Sequence, residues 1–116
     1  MLNELINKNN ELKIEDKIYN IRGLQVMLDS DIAELFNIET KNLNKAMNRN
    51  KNRFPEEFCF KLNSVEFKNQ RCQNGTFKQA TSGRKYCPYL YTERGAIALT
   101  GILKSGTKMP FFRNRL

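Results

Sequence analysis

The stretch SDIAELFNIETKNLNKAMNRN, Ser30 to Asn50, reverses its character midway, from acidic and apolar to basic and rich in asparagine. Ile32, Leu35 and Phe36 fall at helical spacing beside Ala33 and predict one amphipathic helix. Asp29 or Ser30 is placed to cap its start, and Asp31 and Glu34 suit the positive end of its dipole. Two aspartates around one serine also suggest a metal site, but without further carboxylates at helical spacing capping is the better reading. Asn37 ends the helix, because asparagine enters the left-handed region more readily than other residues with a side chain. Thr40 then caps a second helix, about Thr40–Asn50. There Leu43, Ala46 and Met47 share one face, and Lys41, Asn44, Lys45 and Asn48 the other.

That pairing has the pattern of a helix-turn-helix. Ala33 lets the helices approach, a turn-former follows four residues later, and apolar Ile38 and Leu43 plug the angle between them. Helical hairpins in unrelated proteins meet the same pattern by chance. The polar outer face of the second helix favours the first reading, which requires Asn44 and Lys45 to be displayed outward by a buried Leu43–Met47 underside.

On the N-terminal side, KIYNIRG and LQVMLD read as a small hairpin turning at Gly23, and residues 1–13 as a flexible lead-in. On the C-terminal side, RFPEEFCFKL predicts a turn at Pro55 and a strand alternating from Phe58 to Leu62. Asn63 with Glu66 forms a capping box for a helix to about Gln70. Asn74-Gly75 is the strongest turn dipeptide, QATSGRK a flexible connection, and YCPYLY a strand expected at an edge because of Pro88. Thr92 caps ERGAIALTGILK, whose Ala96, Leu99 and Leu103 face the core. Residues 105–116 carry Gly106 and Pro110 as breakers and read as an irregular tail.

The 116 residues amount to one domain with a modest core. No apolar run approaches the length of a membrane span, and no secretory signal opens the chain, which points to the cytosol. With three cysteines and no histidine, a Cys/His zinc site is ruled out and a cysteine-only site lacks its fourth ligand. Cys59, Cys72 and Cys87 are therefore read as reduced thiols, and no metal or other cofactor is expected.

The net charge of +8 is unevenly divided. Residues 1–40 hold 4 basic and 8 acidic side chains, a net of −4, and residues 41–116 hold 16 and 4, a net of +12. Lys41–Pro55 and Phe67–Thr92 contain no acid. One charge run is usually a solvated face, but two acid-free windows favour a polyanionic partner.

The runs IRGLQVMLDSDIAELFNIETKNLNKAMNRNKNRFPEEFCFKL, RCQNGTFKQ and RKYCPYLYTERGAIAL closely resemble the KilA-N-type DNA-binding domain of phage and prophage proteins. More narrowly they resemble its ORF-six-N branch, a relative of the BRO N-terminal domain of large DNA viruses. The likeness covers about residues 14–104. It implies a small α+β domain, a helix-turn-helix-like pair packed with short strands or hairpins in a winged-helix-like manner. It further implies DNA binding without catalysis, in an antirepressor-like transcription regulator of a phage or prophage in the bacterial cytosol. The connection Ala80–Gly83 is shorter than the family's Gly- and His-containing loop. Residues 105–116 do not resemble the family's long helical continuation, as expected of a truncated or frame-shifted end.

Asparagine amides pair with adenine edges and cations with phosphate. Asn44 and Asn48 are therefore the candidate base readers, with Lys41 and Lys45 beside them and Thr40 donating to a phosphate at the helix start. Arg49, Lys51 and Arg53 continue the charge, and Arg84 and Lys85 form a candidate basic wing. The expected partner is double-stranded DNA. The alternative is a protein-interaction module that binds a repressor or forms a homodimer, through Phe111 and Phe112. No small-molecule substrate and no membrane partner is expected. An enzyme is disfavoured, since no histidine, phosphate loop or acid cluster is present.

Overall fold

A computed structural model describes residues 16–103. The lead-in, the irregular tail, Phe111 and Phe112 lie outside the described residues. Strands β1 (Ile18–Ile21) and β2 (Leu24–Leu28) lead into helices α1 (Asp29–Phe36) and α2 (Thr40–Arg49). A 3-10 turn at Lys51–Arg53 follows, then β3 (Cys59–Lys61), α3 (Ser64–Gln73) and α4 (Gly75–Ala80). Strand β4 (Tyr89–Thr92) and helix α5 (Glu93–Ile102) close the described part. The expected α+β class is what the chain adopts, with one antiparallel sheet in the order β1-β2-β4-β3.

Strand alternation sends side chains to two different helix layers. Ile18, Met27, Tyr91 and Cys59 line up across the sheet by register and join Ile32, Phe36, Leu43, Met47 and Leu99 of α1, α2 and α5. Leu28, Leu90 and Phe60 form a row on the opposite face, where they join Phe77 of α4 and, at the margin, Phe67 of α3. The helix-turn-helix-like pair is thus carried on one face and α3–α4 on the other. Leu43 and Met47 are both fully buried, as the α2 stripe requires, and truncating either to alanine would cost about 2–5 kcal/mol.

Several local expectations hold. Arg22 and Gly23 both take positive φ, 56° and 74°, which makes the tight primed turn of the β1–β2 hairpin. Asn37 is left-handed, with its own amide on the Glu34 carbonyl and that of Ile38 on Ala33, a Schellman closure of α1. Asn63 and Glu66 form the reciprocal capping box, and the Thr92 hydroxyl accepts from the Gly95 amide.

Others need correction. Neither Asp29, Ser30 nor Thr40 caps a helix: Leu28 and Glu39 occupy those positions without a side-chain cap. Asn74 does not turn a hairpin but caps α4, accepting from the Phe77 amide, and a fully buried Phe77 is what holds that short helix to the sheet. Strand β4 is central, not an edge. Pro88 sits before its first residue, where no ladder N–H is needed, and its carbonyl accepts from Leu62. The QATSGRK connection is anchored, with Thr81 fully buried and its hydroxyl on the Phe77 carbonyl. Gly95 packs so closely on Phe58 that a methyl would overlap that carbonyl oxygen.

Candidate nucleic-acid interface

Helix α2 presents three longitudinal ridges, because residues four apart nearly superimpose down a helix. Leu43 and Met47 form the buried one. Lys41, Lys45 and Arg49 form an exposed cationic ridge on the side away from it. Asn44 and Asn48 lie between, and here the expectation divides. Asn48 is exposed, with its amide nitrogen on the Asn44 carbonyl at 2.9 Å. Asn44 is half-buried and turned inward: its Nδ2 donates to Asp29 Oδ2 at 2.7 Å, and its Oδ1 accepts from the Tyr91 hydroxyl at 3.0 Å. An amide engaged at both ends does not read a base edge, so the outward placement of Asn44 is corrected. Of the two residues that reading required outward, only Lys45 is displayed, and the exposed face is cationic where it was expected to pair cations with Asn44.

The inward pull comes from Asp29, which is completely buried. Its carboxylate receives the Arg84 guanidinium in a two-pronged contact at 2.7 and 3.2 Å. It also accepts from the Ser30 and Tyr89 amides at 2.7 and 3.2 Å. One side chain thereby ties the start of α1, the middle of α2, the 81–88 connection and the start of β4. A buried carboxylate is tolerable only when paired and hydrogen-bonded in this way. Arg84 is consequently a positioning residue and not a free wing, a second correction, whereas its neighbour Lys85 is exposed. Burial of Tyr91 beside this cluster pushes its hydroxyl pKa upward, which keeps it the proton donor toward Asn44.

Over this hub lies an open groove of about 530 Å³, with Thr40, Lys41, Lys61, Arg84, Tyr86 and Tyr89 among its lining residues. Tyr89 is flanked by Lys51 and Lys61, each with its ammonium 5.6 Å from the ring centre. Tyr86 is 78% exposed, unusual for a tyrosine without a partner surface. Lys51 and Arg53 are exposed on the 3-10 turn that continues from α2. Exposed Glu34 and Glu39 border a neighbouring depression at the α1–α2 turn. Thr40 and Lys41 line the same depression, so the acidic side is that of Glu34 and Glu39 and a polyanion would approach from the Lys41–Lys45–Arg49 side.

Tyr86, Tyr89 and Lys61 were not singled out by sequence reasoning. Aromatic residues interleaved with lysines inside the Phe67–Thr92 window were the available signal for the two tyrosines. The cysteines are free thiols, and burial pushes Cys59 up to about 12. No cluster of metal-ligating side chains occurs among the described residues, and no helix among them is long and apolar enough to cross a membrane.

A single antiparallel sheet with a helix pair on one face, of which the second helix is basic and borders a groove, defines a small α+β domain. Residues 16–102 match the ORF6N domain, and the chain belongs to that family. Neither a search of curated proteins nor one of solved structures returned a match.

Proposed function

We propose that this domain binds duplex DNA through α2, as the DNA-binding module of an antirepressor-like regulatory protein of a phage or prophage, acting in the bacterial cytosol without catalytic activity. The observation that carries the reading is the exposed Lys41–Lys45–Arg49 ridge, held on a fully buried Leu43–Met47 underside and continued by Lys51 and Arg53. Such a ridge supplies phosphate contacts from a rigid element of a size that enters a major groove. Asn48 remains the amide available for a base edge, and Thr40 at the groove margin can donate to a phosphate. Asn44 and Arg84 serve by fixing how α2 sits on the sheet. Membership of the ORF6N family fits a phage-type domain. The rival reading, a module that binds a repressor or a second copy of itself, rests on Phe111 and Phe112, which lie outside the described residues.

Selection from random duplex DNA at moderate salt, followed by a salt titration of affinity, tests the proposal. Wild-type protein is expected to enrich a defined sequence. Lys41→Ala/Lys45→Ala is expected to bind more weakly to every sequence, with the slope of log K against log salt reduced by about 2. Asn48→Ala is expected to flatten the sequence preference more than it weakens binding. Absence of any duplex binding by the wild type at low salt would overturn the reading.

A further inference from the structure

The second acid-free window, Phe67 to Thr92, does not run toward α2 alone. Much of it builds a separate groove of about 480 Å³ on the α3–α4 side, lined by Ser64, Phe67, Lys68, Arg71, Lys78 and Lys85. Four cations and no carboxylate meet there. Three other cations do meet carboxylates: Lys17 lies within 4 Å of Asp31 and Glu34, Arg22 holds Glu66, and Arg84 holds Asp29. None of Lys68, Arg71, Lys78 and Lys85 has an ion pair among the described residues.

Arg71 makes the point more sharply. Its guanidinium carbon sits 5.5 Å from the centre of the Phe67 ring, which is itself packed edge-on against buried Phe77. Its Nε is shielded from solvent and has no hydrogen-bond partner among the described residues. The enclosed Nε is not itself open to a ligand, but the Arg71 side chain lines the groove together with three lysines, a cationic set that suits an anion.

The groove also has a definite relation to the first one. Both flank the 84–87 segment: Arg84 and Tyr86 line the α2 side, Lys85 lines the α3–α4 side, and Cys87 borders both. Asp29 anchors Arg84, the first residue of this segment between the two grooves. The three lysines are exposed and come from three separate segments, α3, α4 and the connection to β4, which suits several phosphates of a chain better than a single anionic group.

We infer that the α3–α4 groove receives a second run of phosphates from the same duplex that α2 engages, so that the DNA path crosses the 84–87 segment. This rests on the DNA-binding reading above and extends it to a second contact surface. Its consequence is that affinity depends on backbone flanking the recognised sequence, independently of what that flank spells.

The test compares three full-length proteins on two duplexes, one trimmed to the selected site and one with long flanks. The proteins are wild type, Lys41→Ala/Lys45→Ala and Lys68→Ala/Lys78→Ala. All four lysines are exposed, and circular dichroism confirms that each variant keeps its fold. On the long duplex, Lys68→Ala/Lys78→Ala is expected to lose affinity by about tenfold, with the salt slope reduced by about 2. On the trimmed duplex it should match wild type. If that variant keeps wild-type slope and affinity on the long duplex while Lys41→Ala/Lys45→Ala loses them, the second surface is refuted and the function of α2 stands. An equal loss on both duplexes refutes the flanking path. Failure of the wild type to bind either duplex removes both readings together.

Discussion

Two carboxylate–guanidinium clamps hold this domain together, alike in chemistry and opposite in setting. Asp29 and Arg84 join residues 55 apart, with the carboxylate at 0% exposure and the arginine side chain at 23%. Arg22 and Glu66 join residues 44 apart through two contacts of 2.7 Å, at 36% and 26% exposure. The first fixes the helix pair against the sheet on the α2 side. The second fixes the β1–β2 turn to α3 on the other, and Arg22 also lies 4.3 Å over the Phe60 ring. A pair in water competes with hydration and gains little, whereas breaking a buried pair strands a charge. The difference teaches that burial, not distance, decides which clamp the fold depends on.

The largest effect should therefore come from Asp29→Ala. Removing the carboxylate leaves the Arg84 guanidinium, the Asn44 amide and the Tyr89 N–H without their acceptor at one stroke. Denaturant unfolding should show a loss of about 3–5 kcal/mol, toward the lower end because Arg84 regains some water. DNA affinity of the remaining folded protein should also fall, since α2 loses the contact that sets its seat. A loss below about 1 kcal/mol would break the comparison outright.

Next in size is the coupling within each clamp, read by double-mutant cycles with the arginines changed to methionine. Asp29 with Arg84 should couple by about 2–3 kcal/mol, and Arg22 with Glu66 by about 1 kcal/mol or less. Equal couplings would mean that the exposed pair is rigid enough to behave as if buried. Adding salt sharpens the contrast, because screening reaches the exposed pair and not the enclosed one.

The same contrast explains what could be read from the sequence. The hairpin turn, the Asn37 closure, the capping box and the Leu43–Met47 stripe are all set by residues within one turn or one helix. Their signals lie in short windows, and they were legible. Asp29 was not, because a first-turn aspartate looks the same whether it caps its own helix or receives an arginine 55 residues away. Asn44 and Arg84 were misread for the same reason: both fit a polar outer face until their partner is known. Pro88 suggested an edge strand because proline lacks a donor, but a strand can begin one residue later and still be central. The α4 helix hid behind Asn74-Gly75, whose turn signal is genuine and whose asparagine serves as a cap. The cationic ridge of α2 was visible, since Lys41, Lys45 and Arg49 need no distant partner to stay exposed.

The smallest expected effect is the most diagnostic of the exposed clamp. Glu66 is held down to about 2, first by the Arg22 guanidinium and then by the Asn63 amide, against an ordinary value of 4.5. A carboxyl whose folded value is depressed stabilises the fold above its unfolded value and loses that contribution as pH falls toward the folded one. Glu66→Gln keeps an acceptor for the Asn63 amide but removes the charge, so it isolates the pairing with Arg22. At neutral pH it should lower stability by about 1 kcal/mol or less. The gap from wild type should then narrow as pH drops from 4.5 toward about 2. Asp31 runs the other way, since burial raises its value and acid favours the folded form. It is present in both proteins, however, and cancels in the difference between their melting curves. A gap that stays constant with pH would mean that the Arg22–Glu66 contact holds its geometry without its charge. The left-handed Arg22 would then be supported by the hydrogen bonds of that contact together with stacking on Phe60.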